Sequence, residues 1–381
     1  MEGRLYMNKN EQYEYSVLVD FQEGRKSRKQ ASALLGISER SVTRRVAKLR
    51  KLGISGIKHG NTGKTPANKK KDLIKVEILE LVRSKYFDFN VLHIHEMLRE
   101  QHGFEVSYMT LLKWCRREGI SKSKRRRASK ARIYRERMAN EGVLLQMDGS
   151  HHKWNGKDRW CLVSCIDDST SNIPVGKFYK GETTWACFDV LRNMILSRGI
   201  PECLYTDGAG WAGGGGKRQN FSQFVRACEE LGIKVIRAYS AQAKGRIERS
   251  YKTIQGRLVP ELRLNKIKGM KDANRYLEQV FWPNWNGKFT VEPKESESRY
   301  KNPVDLDLDE ILCYKHERNV CNDHTISYEG KRYKIDPGQL KSLRKKIIVI
   351  HAYENKKTFN MYYDGIKLKY ELVRLPNRRW I

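Results

Sequence analysis

Apolar positions spaced three and four apart mark helices in the N-terminal part of the chain. They predict helices at about Asn10–Gln22, Arg28–Leu35 and Glu39–Lys51. In KQASALLGISERSVTRRVAKLR, Ala31, Leu34 and Leu35 face inward, Gly36 makes the turn and Ile37 plugs the junction. Ser38 caps the next helix, whose apolar stripe is Val42, Val46 and Leu49, so the stretch reads as a helix-turn-helix. A second three-helix pattern covers about Asp72–Ser84, Val91–Gln101 and Ser107–Glu118, with Gly103 between the last two. From about residue 143 the pattern changes to strands. Val143–Asp148 is apolar on both faces, as suits a central strand, and Arg159–Ile166 and Ile173–Tyr179 follow. The turn formers from Asp167 to Asn172 join those two as a hairpin. Next come a helix at about Thr184–Ser197, a strand at Cys203–Thr206, a helix at Phe221–Leu231, a strand at Lys234–Ala238 and a long helix from near Gly245. The order β-β-β-α-β-α-β-α predicts a mixed five-stranded sheet with helices on both faces. Short strands then alternate at Asn319–Ser327, Lys331–Ile335, Lys346–His351, Lys357–Tyr363 and Ile366–Leu372, which predicts a small β-barrel. The expected fold class is multidomain α/β. Its parts are helical units at 1–60 and 71–120, a basic linker at 121–140, an α/β core at 141–300 and a C-terminal barrel at 305–381.

Charge changes this picture. The 381 residues hold 75 Lys and Arg against 44 Asp and Glu, a formal net charge of +31. So large an excess opposes compaction and calls for a polyanionic partner, with nucleic acid the natural one. A basic membrane-surface protein would carry an amphipathic anchor or a long apolar run, and neither is found. The start, MEGRLYMNKNEQYEY, lacks the apolar segment of a secretory signal, so a soluble, cytoplasmic, nucleoid-associated protein with no membrane partner is expected. In the helix-turn-helix, Arg40, Ser41, Arg44, Arg45 and Lys48 share the face away from the apolar stripe, and this is the helix expected in a DNA major groove. The second helical unit, with Lys113, Arg116 and Arg117 on its last helix, fits either a further DNA reader or a structural spacer. The basic run SKSKRRRASKAR at 121–132 either tracks phosphates or is a solvated linker.

Other candidate chemistry is weak. Gly63-Lys64-Thr65 ends like a phosphate-binding loop, but position 58 is Lys58 where that loop needs glycine. The eight cysteines form no CxxC pair and most sit in apolar runs, so they read as buried thiols rather than a zinc site. His93 and His95 read as ordinary helix residues.

The strand order, with QMDGSHHKW, CIDDSTSNI, LYTDGAG, AQAKGRIER and PNWNGKFTVEP, resembles the ribonuclease H-like core of retroviral integrases and of bacterial insertion-sequence transposases, closest to the group long left unclassified. The resemblance covers most of the chain. The retroviral zinc-binding N-terminal domain is absent, since no His/Cys set precedes the core. On the matching elements stand three acids: Asp148 at the end of the first strand, Asp207 at the end of the fourth and Glu248 early in the last helix. In the family fold these strands are neighbours and the helix crosses their ends, so the resemblance implies a catalytic, metal-binding triad. Packed carboxylates need cations to neutralise them, and hard oxygen donors suit Mg²⁺ or Mn²⁺. Two such ions, about 3.5–4 Å apart, serve in-line phosphoryl displacement. Water attack would free a 3′-OH, and that 3′-OH would join to a second phosphodiester.

In the last helix, Ile247, Tyr251, Ile254 and Leu258 should face the core, while Lys244, Glu248, Lys252 and Gln255 form the neighbouring stripe, expected to hold DNA phosphates. Many family members carry Lys or Arg where Gln255 stands, and Lys252 is the expected substitute. Asp167 and Asp168 read as turn residues of the hairpin rather than extra metal ligands, and His151 and His152 as either substrate contacts or loop residues. The glycine-rich loop Gly208–Gly216, with Trp211, lengthens the usual spacing and either orders on DNA or stays a surface loop. Arg344, Lys345 and Lys346 of the barrel either touch DNA or leave the barrel to oligomerisation. The resemblance implies binding of terminal inverted repeats and target duplex, a homo-oligomeric synaptic complex, and metal-dependent strand cleavage and transfer. The main alternative is a non-catalytic DNA-binding regulator with a decayed core. A ribonuclease acting on RNA·DNA hybrids shares the core but has no evident need of two sequence readers.

Overall fold

The computed structural model describes residues 7–62, 72–121, 135–206, 223–237, 245–336, 338, 343–353 and 359–373. The chain divides into two compact units, Met1–Lys75 and Val76–Ile381.

In the first unit, α1 (Lys9–Gln22), α2 (Arg28–Leu35) and α3 (Glu39–Leu52) enclose a core of Val17, Leu18, Ala31, Val42, Val46 and Leu49. Reciprocal capping fixes two helix starts: Asn8 with Glu11, and Ser27 with Gln30. Gly36 ends α2 at φ 64°, a left-handed backbone that any Cβ would strain. Ser38 caps α3 by accepting the Ser41 N–H at 3.3 Å. Leu34, expected to face inward, is exposed. On so short a helix the buried stripe is taken by Ala31 with Leu35 one turn on, and Leu34 falls off that line.

The second unit takes in all but the first turn of α4 (Asp72–Ser84), and α4, α5 (Val91–His102) and α6 (Tyr108–Arg117) precede a five-stranded sheet. Its strands are β1 (Leu144–His152), β2 (Trp160–Asp167), β3 (Val175–Tyr179), β4 (Cys203–Thr206) and β5 (Lys234–Arg237), in the order β3-β2-β1-β4-β5. β1, β2 and β3 are antiparallel, and β4 and β5 add in parallel, as expected from the crossover helices. Both faces are covered. On one, α7 (Thr184–Arg198) and α8 (Gln223–Glu230) pack on Leu145, Met147, Cys161, Val163 and Cys165. On the other, α9 (Gly245–Leu264), α10 (Met270–Tyr276) and α11 (Trp282–Phe289) pack on Trp160, Leu162, Ile166 and Phe178. Every residue of β2 is therefore buried.

After the short helix α12 (Leu308–Ile311) come β6 (Tyr314–Asn319), β7 (Thr325–Tyr328), β8 (Lys331–Ile335), β9 (Ile347–Ala352), β10 (Phe359–Tyr363), β11 (Ile366–Leu368) and β12 (Tyr370–Leu372). They form two sheets, β11-β10-β9-β6 and β12-β8-β7, around one core that includes Val320, Ile326, Ile350 and Met361. Among the described residues no closed barrel is seen. The expected strand at 319–327 is two: it breaks at Val320–His324, where His324 takes a φ of 60°.

Helix α5 is fastened to the core. Glu96 accepts two hydrogen bonds from Arg257 of α9, at 2.7 and 2.8 Å, and one from Lys288 of α11 at 3.0 Å. Burial opposes the Glu96 charge, yet Arg257 and Lys288 outweigh it and hold the carboxyl down at about 2 from its ordinary 4.5. A depressed carboxyl stabilises the fold above its unfolded value and loses that contribution as pH falls through its folded value. At ~1.4 kcal/mol for each unit of pH, the pair contributes about 3 kcal/mol at neutral pH, lost between about pH 4.5 and 2. Thermal melts of Glu96→Gln against the unaltered chain should differ most at pH 7 and converge near pH 2. An equal difference at both pH values contradicts this.

Candidate active site

The centre of the site is the line where α9 lies on β1. Side chains alternate along a strand, so Gln146, Asp148 and Ser150 share one face. Along α9, Ile247, Tyr251 and Gln255 share one stripe. The two rows meet rung by rung. The Ile247 N–H donates to Gln146 Oε1 at 3.3 Å, the Tyr251 hydroxyl donates to the Asp148 carbonyl, and Gln255 Nε2 donates to Ser150 Oγ at 3.1 Å. Tyr251 also receives the Ser164 hydroxyl at 3.0 Å. Glu248 leaves the helix between the first and second rungs, and its side chain is exposed.

Asp148 is half-buried and lies mid-strand, a correction to the expectation that it ends β1. The strand runs on because Gly149–His152 keep pairing with β2, up to His152 opposite Trp160. On the other side, β4 pairs only with Leu144–Gln146 among the described residues, so Asp148 stands beyond the end of that ladder. The Asp148 charge is felt nearby: after burial, it helps push the Tyr251 hydroxyl and the Cys161 thiol above their ordinary values. Asp207 follows Thr206, the last residue of β4, and lies outside the described residues, as do Lys244, the Gly208–Gly216 loop, Gly63-Lys64-Thr65 and all but the first residue of the 121–132 basic run.

Asp168 stands in the turn after β2, as expected, and also anchors a charge network there. Its carboxylate is fully buried. It accepts from Arg246 Nε at 2.7 Å, Gln146 Nε2 at 2.8 Å, the Met138 N–H at 3.1 Å, and Arg135. Arg246 stands two residues before Glu248, and Gln146 two before Asp148. Through Gln146 the same network reaches the Ile247 N–H, a first-turn donor with no partner within its own helix. Asp167 is also buried and accepts from the Gly142 and Thr170 N–H groups, both at 2.9 Å. Burial carries its carboxyl above the usual range, although those hydrogen bonds pull the other way.

Gln146, Asp168, Arg246 and Tyr251 carry no acidic-triad signature, and residue-type scanning passes over them. One signal was present. Gln146 is an amide inside an apolar strand, and a buried amide must find hydrogen-bond partners. Among the other expected residues, Lys252 is exposed one turn after Glu248, and Gln255 is drawn onto Ser150. His151 is exposed. His152 meets Trp154 edge-on, and burial with nearby Arg159 lowers its imidazole below the ordinary value. In α3, Arg40 and Arg44 are exposed, Arg45 pairs with Glu14 at 2.5 Å, Ser41 meets the Ser38 hydroxyl at 2.9 Å, and Lys48 donates to the Lys58 carbonyl at 2.9 Å.

No family model matches the chain. Over 391 aligned residues it is 31% identical to y4bF of Sinorhizobium fredii (strain NBRC 101917 / NGR234), a provisionally named transposase, covering 99% of this chain and 84% of that protein. It is 30% identical over 368 residues to the transposase for insertion sequence IS1202 of Streptococcus pneumoniae, covering 85% of this chain and 78% of that one. The chain belongs to the transposase family. Among solved structures, the transposase is similar to the HTLV-2 integrase catalytic core domain in complex with magnesium, at 22% identity and a TM-score of 0.27, over 37% of this chain and 89% of that one. It is also similar to a chain of the simian T-cell lymphotropic virus intasome in complex with PP2A regulatory subunit B56 gamma, at 14% identity and a TM-score of 0.34, over 73% and 100% of the two chains. The family assignment rests on the two transposase relatives. Among the described residues, no helix of the transposase is long and apolar enough to cross a membrane.

Proposed function

We propose that this transposase cuts and joins DNA strands with Asp148, Asp207 and Glu248 as its catalytic carboxylates. The observation that carries the reading is the three-rung seam between β1 and α9, which brackets Asp148 and the base of Glu248. Asp207 joins by covalent continuity, one peptide bond beyond Thr206 of the strand that pairs with β1. The donor set fits Mg²⁺ or Mn²⁺. It is carboxylate oxygen, one side chain half-buried and one exposed, in a neighbourhood where the Asp148 charge already raises Tyr251 and Cys161. Two bound ions would activate the attacking oxygen and stabilise the leaving one.

The protein's own part is positioning. Tyr251 holds the Asp148 backbone, Gln146 and Arg246 hold the first turn of α9, and the exposed Lys252 offers its charge to a DNA phosphate. In the first unit, α3 is the proposed major-groove helix, with Arg40 and Arg44 presented to DNA. Helices α4–α6 are proposed as a second DNA-binding part and 305–381 as the barrel-like end module. Terminal inverted repeats and target duplex are the proposed substrates, held in a homo-oligomeric synaptic complex.

The test is a strand-transfer assay with labelled element ends. Transfer should vanish on chelation, return with Mg²⁺, and be lost in Glu248→Gln. Transfer that survives chelation overturns the reading. DNA binding with no cleavage in any divalent metal would instead support the regulator, and cleavage of an RNA·DNA hybrid the ribonuclease.

A further inference from the structure

On the opposite face of β1 from Asp148, three side chains of different chemistry converge. They are His151 of β1, Cys161 directly across from it on β2, and Glu182, which precedes the Thr183 cap of α7. A His nitrogen, the thiol sulfur and a carboxylate oxygen of this group lie within 4.8 Å of one another. We infer that His151, Cys161 and Glu182 form a second metal site, for a thiolate-accepting dication such as Zn²⁺.

Room for it is built into the strand. A Cβ on Gly149 would stand 2.6 Å from the Glu182 carboxyl carbon, so only glycine lets that carboxylate lie against β1. Cys161 is fully buried and His151 is exposed. The site is thus closed on the protein side and open on the solvent side, which suits three protein ligands with water in the fourth position. One thiolate and one carboxylate neutralise a dication. Sulfur in the set favours zinc-like ions over Mg²⁺. Without metal, burial and the charges of Glu182 and Asp148 push the Cys161 thiol up to about 12. The same negative charges favour a cation in place of that proton. Binding forms the metal–sulfur bond and releases the thiol proton to water. The ion would fasten the end of β1, past Asp148, to β2 and to the start of α7. This site does not depend on the catalytic triad.

Co²⁺ is the probe, titrated into the full chain carrying Asp148→Asn and Glu248→Gln so that the proposed catalytic ligands are disabled. One equivalent should bind with a thiolate-to-cobalt charge-transfer band, and Zn²⁺ should bleach it. Cys161→Ser in that background should lose the band. His151→Ala, at an exposed position, should keep the fold by circular dichroism and weaken binding at least ~10-fold, since even outer partners of a ligand set cost that much. No band at one equivalent overturns the site. So does a band unchanged in Cys161→Ser, which would report another thiol such as exposed Cys321. Equal affinity in a folded His151→Ala protein overturns it as well.

Discussion

Asp148→Asn is expected to reduce strand transfer by at least ~10³-fold while leaving the fold intact, because it removes negative charge at the proposed reacting centre. Asparagine keeps the size and shape of the side chain. The contact that anchors α9 here uses the Asp148 backbone carbonyl, which the substitution retains. Burial and the Asp148 charge keep the Tyr251 hydroxyl protonated, so its hydrogen bond to the residue-148 carbonyl should survive the substitution and the melting temperature should stay within a few degrees. Transfer rates on pre-cleaved labelled ends, with melts of the same preparations, check both halves. A folded Asp148→Asn protein with transfer within tenfold of the unaltered chain would place the chemistry elsewhere.

Asp168→Ala should be the most damaging single change away from the triad. The fully buried carboxylate neutralises Arg135 and Arg246 and receives Gln146 and the Met138 N–H. Removing it leaves the buried Gln146 amide without its acceptor and two partly exposed guanidinium groups without their counter-charge, which costs roughly 1–3 kcal/mol. For a unit of this size that is a fall of roughly 5 °C in melting temperature. Activity should fall further than stability explains. Arg246 and the Gln146–Ile247 bond set the first turn of α9, and a displacement of about 1 Å in a catalytic group costs on the order of 10²-fold. Asp168 is a positioning residue, so the loss should lie in the rate at saturating DNA rather than in DNA affinity. Asp168→Asn, which keeps the shape but not the charge, should recover part of it. If Asp168→Ala melts lower but transfers normally below its transition, the network is structural only.

Which parts of this were legible beforehand follows from the physics of each signal. The antiparallel half of the sheet was legible because both-face apolar runs and hairpin turn formers specify central strands and their pairing, whereas the adjacency of β1 and β4 was implied only by the resemblance. The capping of α3 by Ser38 and the turn at Gly36 were legible because they are local. The acids Asp148 and Glu248 were found through motif resemblance, and their elements are as expected. The extent of β1 was not legible. Gly149–His152 look like loop, and only pairing with β2 makes them strand. The turn position of Asp168 was legible, but its charge network was not, because its partners, Arg135 and Arg246, are far away in sequence. The anchoring of α5 by Glu96, Arg257 and Lys288 was hidden for the same reason. Leu34 was misread because amphipathic spacing on two turns of helix leaves the choice of stripe to packing.

Locating bound Mn²⁺ by anomalous diffraction, in crystals of the full chain with a cleaved element end, tests the central claim most directly. The account predicts anomalous peaks within about 2.5 Å of carboxylate oxygens of Asp148, Asp207 and Glu248. Crystals in which these three side chains bind no ion, or in which their oxygens lie too far apart to share one, would contradict it.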